Sequence, residues 1–143
     1  MLSTLLNIGY ASYKARREDE KRYEKLYGPL KFNLLMMRLL VINKKEVLDD
    51  IKKWLSIEVQ IDLIEKHMSP LTQRWIKHRD NIKSLFEENP GLIKKNDFNL
   101  MSDFMDGCIK REIIEEGKNV LATDENRTNK LLKAVEDFQN KLL

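Results

Sequence analysis

The chain has 143 residues, 42% hydrophobic and 34% charged, with five glycines and three prolines. That is apolar enough for one real core and excludes a disordered chain, while the scarcity of Gly and Pro excludes long irregular loops. The net charge of +3 is mild and uneven, with 19 Lys/Arg against 13 Asp/Glu through Asn96 and 7 against 10 after it, unlike the concentrated basic face of a polyanion-binding domain.

Taken in order, the first element is a short amphipathic helix. Leu2, Leu5, Leu6, Gly9, Tyr10 and Tyr13 share one helical face. The run is too short for a bilayer span, which needs roughly 20 apolar residues. No Lys or Arg precedes it and no small-x-small site follows, so it does not read as a signal peptide. From Lys14 to Lys25 charged residues take over, and Arg16, Glu20 and Glu24 occupy the continuation of the apolar face. This reads as a solvated stalk ending at Leu26-Tyr27-Gly28, with Pro29 preventing continuation. The expected division is therefore an N-terminal helix and stalk over 1–27 and a bundle domain over 28–143.

Residues 30–42 form the most apolar stretch, with Lys31 and Arg38 on one narrow strip and Asn33 as the other interruption. A helix so apolar is expected to be buried on most of its circumference. Asn43 to Glu46 matches a capping box and predicts a tight hairpin there. The alternative is one helix from Leu30 to His67. Ser69-Pro70 has the form of a helix start, Ser as cap and Pro in the first turn. The helix that follows carries a seam of Leu71, Trp75, His78, Ile82 and Leu85/Phe86 and stops at Asn89-Pro90-Gly91.

Leu92 and Ile93 are expected to plug the end of the bundle. A fourth amphipathic run, capped at Asn96 or Asp97, buries Leu100, Met101, Phe104, Met105, Cys108 and Ile109 and stops at Gly117. Gly107 inside it costs about 1 kcal/mol relative to Ala unless close packing uses the missing side chain. The last run opens at Thr123-Asp124-Glu125, with Thr128, Leu131, Leu132, Val135, Phe138 and Leu142 on one face. The expected fold is all-α, a single-domain, mainly antiparallel bundle of five or six helices.

The inventory for chemistry is thin. A single cysteine excludes an intramolecular disulfide or a cysteine-rich metal site and suits a reducing, cytoplasmic setting. The two histidines, His67 and His78, show no metal-ligand spacing. Asp103 and Asp106, three apart, read as a solvated face, and Cys108 as a small buried thiol. Arg74-Trp75-Ile76-Lys77-His78 is similar to the Arg-x4–6-His signature of the helical HEPN ribonucleases, but only three residues intervene, a departure that keeps the chain outside that pattern. Arg74 and His78 would still stand one turn apart, as a charge stabiliser and a general base for phosphodiester cleavage.

The reading is a non-enzymatic protein–protein interaction protein without a cofactor, metal or small-molecule substrate. Its contact face is Leu2, Leu5, Leu6, Tyr10 and Tyr13, toward a protein partner or a second copy. Two alternatives stand beside it. One is a helical ribonuclease or nucleic-acid binder using Arg74 and His78. The other is a peripheral membrane protein whose N-terminal face lies in the interface with Lys14, Arg16 and Arg17 at the headgroups.

Overall fold

The computed structural model describes residues 2–54, 56–114 and 125–142. These form α1 (Leu2–Arg22), a π-helical turn (Tyr23–Tyr27), α2 (Gly28–Trp54), α3 (Ile57–Glu88), α4 (Phe98–Ile114) and α5 (Glu125–Leu142), with no strand among them. The antiparallel helical bundle expected from the sequence is present. Because α1 and α2 run on through the π turn, the described residues make four separate rods, fewer than the five or six expected.

The join between α1 and α2 is the first departure from expectation. Gly28 and Pro29 do not end a helix. Gly28 stays helical at φ −64°, ψ −55°, and its N–H donates to the Tyr23 carbonyl five residues back. Proline lacks an N–H, and its ring collides with the carbonyl four residues earlier in an α-helix. Widening the helix by one residue just before Pro29 relieves that collision, which is how π turns commonly enter α-helices. Gly28 is needed for the close approach: a Cβ there would lie 2.9 Å from the Tyr23 carbonyl oxygen and 3.4 Å from its ring.

Two more expected boundaries fall inside helices. Asn43 is an exposed interior residue of α2, which runs on to Trp54, and extended backbone at Ser56 precedes α3. Pro70 lies within α3. An interior proline costs about 3 kcal/mol, and α3 bears that cost because it is packed along α2. Local capping signals were outweighed by side-to-side packing of long helices.

α2 is the centre of the molecule, flanked by α3 on one side and α5 on the other, with α4 against α5. The core combines Leu26, Leu30, Leu34, Met37, Leu40 and Val41 with Trp75 and Ile82 of α3, Met101, Phe104 and Cys108 of α4, and Leu131, Leu132, Val135 and Phe138 of α5. Each such side chain contributes about 1.5–3 kcal/mol on full burial. The seams read from α3, α4 and α5 are thus in place apart from Ile109, whose side chain lies outside the described residues, and Leu92 and Ile93 pack against the core as expected. Gly107 is used too: the Arg127 guanidinium lies where its Cβ would be. The stop expected at Gly117 and the start expected at Thr123-Asp124 lie outside the described residues.

Tyr27, at the end of the π turn, ties distant parts together. Its ring is fully buried with its centroid 4.4 Å from that of Phe138. Its hydroxyl donates to Asp97 Oδ2 at 2.7 Å and accepts the Lys94 N–H at 3.2 Å. Burial above all, then the Asp97 carboxylate, holds this phenol far above its ordinary value of 10.0, so it stays protonated. Nearby, Lys31 Nζ donates to Gln139 Oε1 at 2.5 Å and fastens α2 to α5.

Candidate interaction surface

The stretch 30–42 is only half buried, against the expectation of burial on most sides. Leu30, Leu34, Met37 and Val41 face inward, whereas Phe32, Leu35 and Leu39 on the opposite side are 60, 37 and 51% exposed. Residues 32, 35 and 39 follow the i, i+3, i+7 spacing of a single stripe. An apolar helix surrounded by chain was the natural expectation from composition. Among the described residues α2 packs against α3 and α5, and the stripe of Phe32, Leu35 and Leu39 stays exposed.

From Asn7 to Glu18 the N-terminal helix is exposed on every side. All residues from Asn7 to Glu18 are exposed, including Ile8 at 59%, Tyr10 at 69% and Tyr13 at 60%. Tyr10 and Tyr13 are therefore placed as the sequence suggested, on a face away from the core. The side chains of Leu2, Leu5 and Leu6 lie outside the described residues. Arg17 donates to the Tyr13 hydroxyl at 2.9 Å, and Arg16 pairs loosely with Glu20 at 3.6 Å. α1 meets the bundle only toward its end, where Arg16 and Asp19 border a cleft with Lys141 and Leu142 of α5.

The Arg74–His78 pair sits on α3 with Arg74 exposed and His78 half-buried. Sequence reasoning missed what holds the histidine. Asn33 is buried on α2 and donates to the Pro29 carbonyl at 2.8 Å, which aims its Oδ1 at α3. That oxygen accepts from Asn81 Nδ2 at 3.2 Å and stands 2.9 Å from His78 Nδ1. His78 Nδ1 must then carry a proton, leaving Nε2 as its basic nitrogen. Burial first, and the Lys77 charge second, lower its pKa below 6.5. The ring also meets Phe32 edge-on, centroids 6.2 Å apart. The signal for this network was Asn33 itself, one polar residue in an apolar run, but its partners required the register of α3.

Arg79 is buried over Trp75 at 5.8 Å and bridges Asp80 at 3.0 Å. Asp103 and Asp106 line a cleft of about 330 Å³ with Leu100, Gly107, Arg127 and Lys130, so acid on α4 faces base on α5. Cys108 is buried in the core. Among the described residues no cluster of His, Cys, Asp or Glu has the geometry to hold a metal ion, and no helix is long and apolar enough to cross a membrane. Comparisons with family models, with curated proteins and with solved structures found no match to this chain.

Proposed function

We propose that this protein is a non-enzymatic helical interaction protein, and that its contact surface is the outer face of the α1–α2 rod. One observation carries the reading. Tyr10 and Tyr13 on α1 and Phe32, Leu35 and Leu39 on α2 are large apolar side chains left exposed on the longest rod of the molecule. Exposed apolar surface rimmed by charge is how binding faces differ from ordinary surface, and here it forms two patches joined by a charged stretch of the same rod. Aromatic residues supply the most contact area for the least entropy. The rest of the molecule then acts as a scaffold that holds α2 straight.

The test is site-specific photocrosslinking in cells of origin. A photoreactive residue at Tyr10 or Leu39 should give discrete crosslinked products, while one at Glu136 on the exposed side of α5 should give none. Equal, diffuse labelling at all three positions would refute the reading. Flotation with anionic liposomes that weakens as salt rises would transfer the face from a protein partner to a membrane.

A further inference from the structure

We propose that the occupant of this face is a second copy of the chain, in an antiparallel pair built along the α1–α2 rod. This rests on the interaction reading above. In the pair, α1 of each copy lies along the outer side of α2 of the other, and the two-fold axis passes close to Arg22 and Tyr23.

The first support is the phase of the helix. Asp19 and Arg22 are partly covered by the bundle, and Leu30, Leu34, Met37 and Val41 are buried against it. Opposite Asp19 and Arg22 lie Tyr13, Tyr10, Glu20 and Glu24. Opposite the buried line of α2 lie Phe32, Leu35 and Leu39. In an unbroken α-helix, at about 100° per residue, the centres of the two apolar patches would stand about 45° apart. The π turn takes in one additional residue, a rotation of about 100°, which leaves them about 55° apart in the opposite sense. Both patches are exposed, and each lies across the rod from positions that the bundle covers.

The second support is register. When Tyr13 of one copy is set opposite Phe32 of the other, Tyr10 meets Leu35 and position 6 meets Leu39. The same alignment sets Glu20 opposite Lys25 and Lys21 opposite Glu24 on both sides of the axis. All four of these charged residues are exposed, Glu20 in a loose pair with Arg16. Sliding the copies by a heptad in one direction sets Lys21 against Arg17 and Glu20 against Glu18. Sliding in the other direction sets Glu20 on Phe32 and Lys21 against Lys31. Of these three registers the central one alone matches apolar to apolar and acid to base, and the mismatches act against the two slipped pairs.

The third support is area. A stable pair needs about 800 Å² from each partner. The α2 stripe alone, with one aromatic and two leucines, falls well short. Adding Tyr10 and Tyr13, in a class of side chain that buries about 150–250 Å² each, approaches that requirement. An unsupported helix as short as the exposed part of α1 is also marginal in water, and pairing supplies its missing neighbour.

The test uses the full chain, with light scattering across a concentration series and circular dichroism as the fold control. Wild type should be a dimer. Glu20→Lys with Glu24→Lys should weaken self-association by about tenfold or more, as should Lys21→Glu with Lys25→Glu, and mixing the two variants should restore the dimer. A Tyr13→Cys chain and a Phe32→Cys chain should form a disulfide with each other on mild oxidation but not with themselves, because like positions lie about 28 Å apart along the pair. Wild type, with Cys108 buried, controls for the native thiol. A monomer at every concentration would overturn the dimer, and so would Tyr13→Cys chains that crosslink to one another, which is the mark of parallel pairing. A monomer that still gives discrete photocrosslinks to another protein from Tyr10 and Leu39 overturns the dimer and spares the interaction reading. A monomer with no such crosslinks overturns both.

Discussion

Replacing Tyr27 by phenylalanine removes one oxygen and leaves the ring in place against Phe138. No cavity term therefore arises, and the loss is confined to two hydrogen bonds. One is donated to the Asp97 carboxylate at 2.7 Å, the other accepted from the Lys94 N–H at 3.2 Å. A hydrogen bond to a charged group contributes about 1.5–3 kcal/mol, and a deprived donor costs about 1–3 kcal/mol when it is fully buried. Asp97 and Lys94 are only half-buried, so water replaces part of what is lost. The expected destabilisation is about 2 kcal/mol. In urea, followed by circular dichroism, this lowers the midpoint by about 1 M with no change in slope. A double-mutant cycle with Asp97→Asn should return a coupling of about 1 kcal/mol or more. Because burial raises the Tyr27 pKa above 10.0, its contribution is complete below pH 10.0 and lost as pH rises further. Tyr27→Phe should lack that alkaline loss. A destabilisation under about 0.5 kcal/mol, or strict additivity with Asp97→Asn, would refute the reasoning.

Other outcomes follow from the same geometry. Gly28→Ala brings a methyl group against the Tyr23 carbonyl, a backbone atom that cannot rotate aside, and should cost about 1–2 kcal/mol in a thermal melt despite the better helix propensity of alanine. His78 is held neutral, with its pKa below 6.5, so its share of stability is complete above pH 6.5 and falls as pH drops below that value; His78→Phe should flatten this part of the stability–pH curve. Asn33→Leu strips Asn81 and His78 of their shared acceptor and should cost about 1–3 kcal/mol by urea denaturation. Purified wild type and His78→Ala should behave alike toward RNA without metal, and cleavage lost in the mutant would favour the ribonuclease reading. Deleting residues 1–13 should leave the melting of the bundle unchanged while abolishing self-association.

The sequence was most informative where a helix has one wet side and one dry side. Thr128, Leu131, Leu132, Val135 and Phe138 repeat at helical spacing with charge between them, and all are buried as that pattern requires. Trp75 with Ile82, and Met101 with Phe104, were readable for the same reason. Helix ends were not. Gly28-Pro29, Asn43 to Glu46 and Ser69-Pro70 each carry a strong local stop or start signal, and each lies within a continuous helical rod because neighbouring helices outweigh a few kcal/mol of local preference. The start of α3 at Ile57 offers only Ser56 before it as a cue. The outer α2 stripe was hidden for another reason. Hydropathy says that Phe32, Leu35 and Leu39 avoid water, but not whether the same chain supplies the cover. Tyr10 and Tyr13 are exposed together with every residue from Asn7 to Glu18, and the charged segment after them cannot enter a core.

The long reach of the contacts at Tyr27 also sets an order of assembly. α2 and α3 are joined across residues 55–56, so they can pack as soon as both are made, at little loop-closure cost. Tyr27, by contrast, waits for Asp97, 70 residues on, and Lys31 for Gln139, 108 residues on. α5 is thus the last helix to seat, closing over the ring of Tyr27 and over the inner side of α2. During synthesis the N-terminal rod and its outward face precede that closure, and the final step completes the side of the rod that the exposed aromatics do not use.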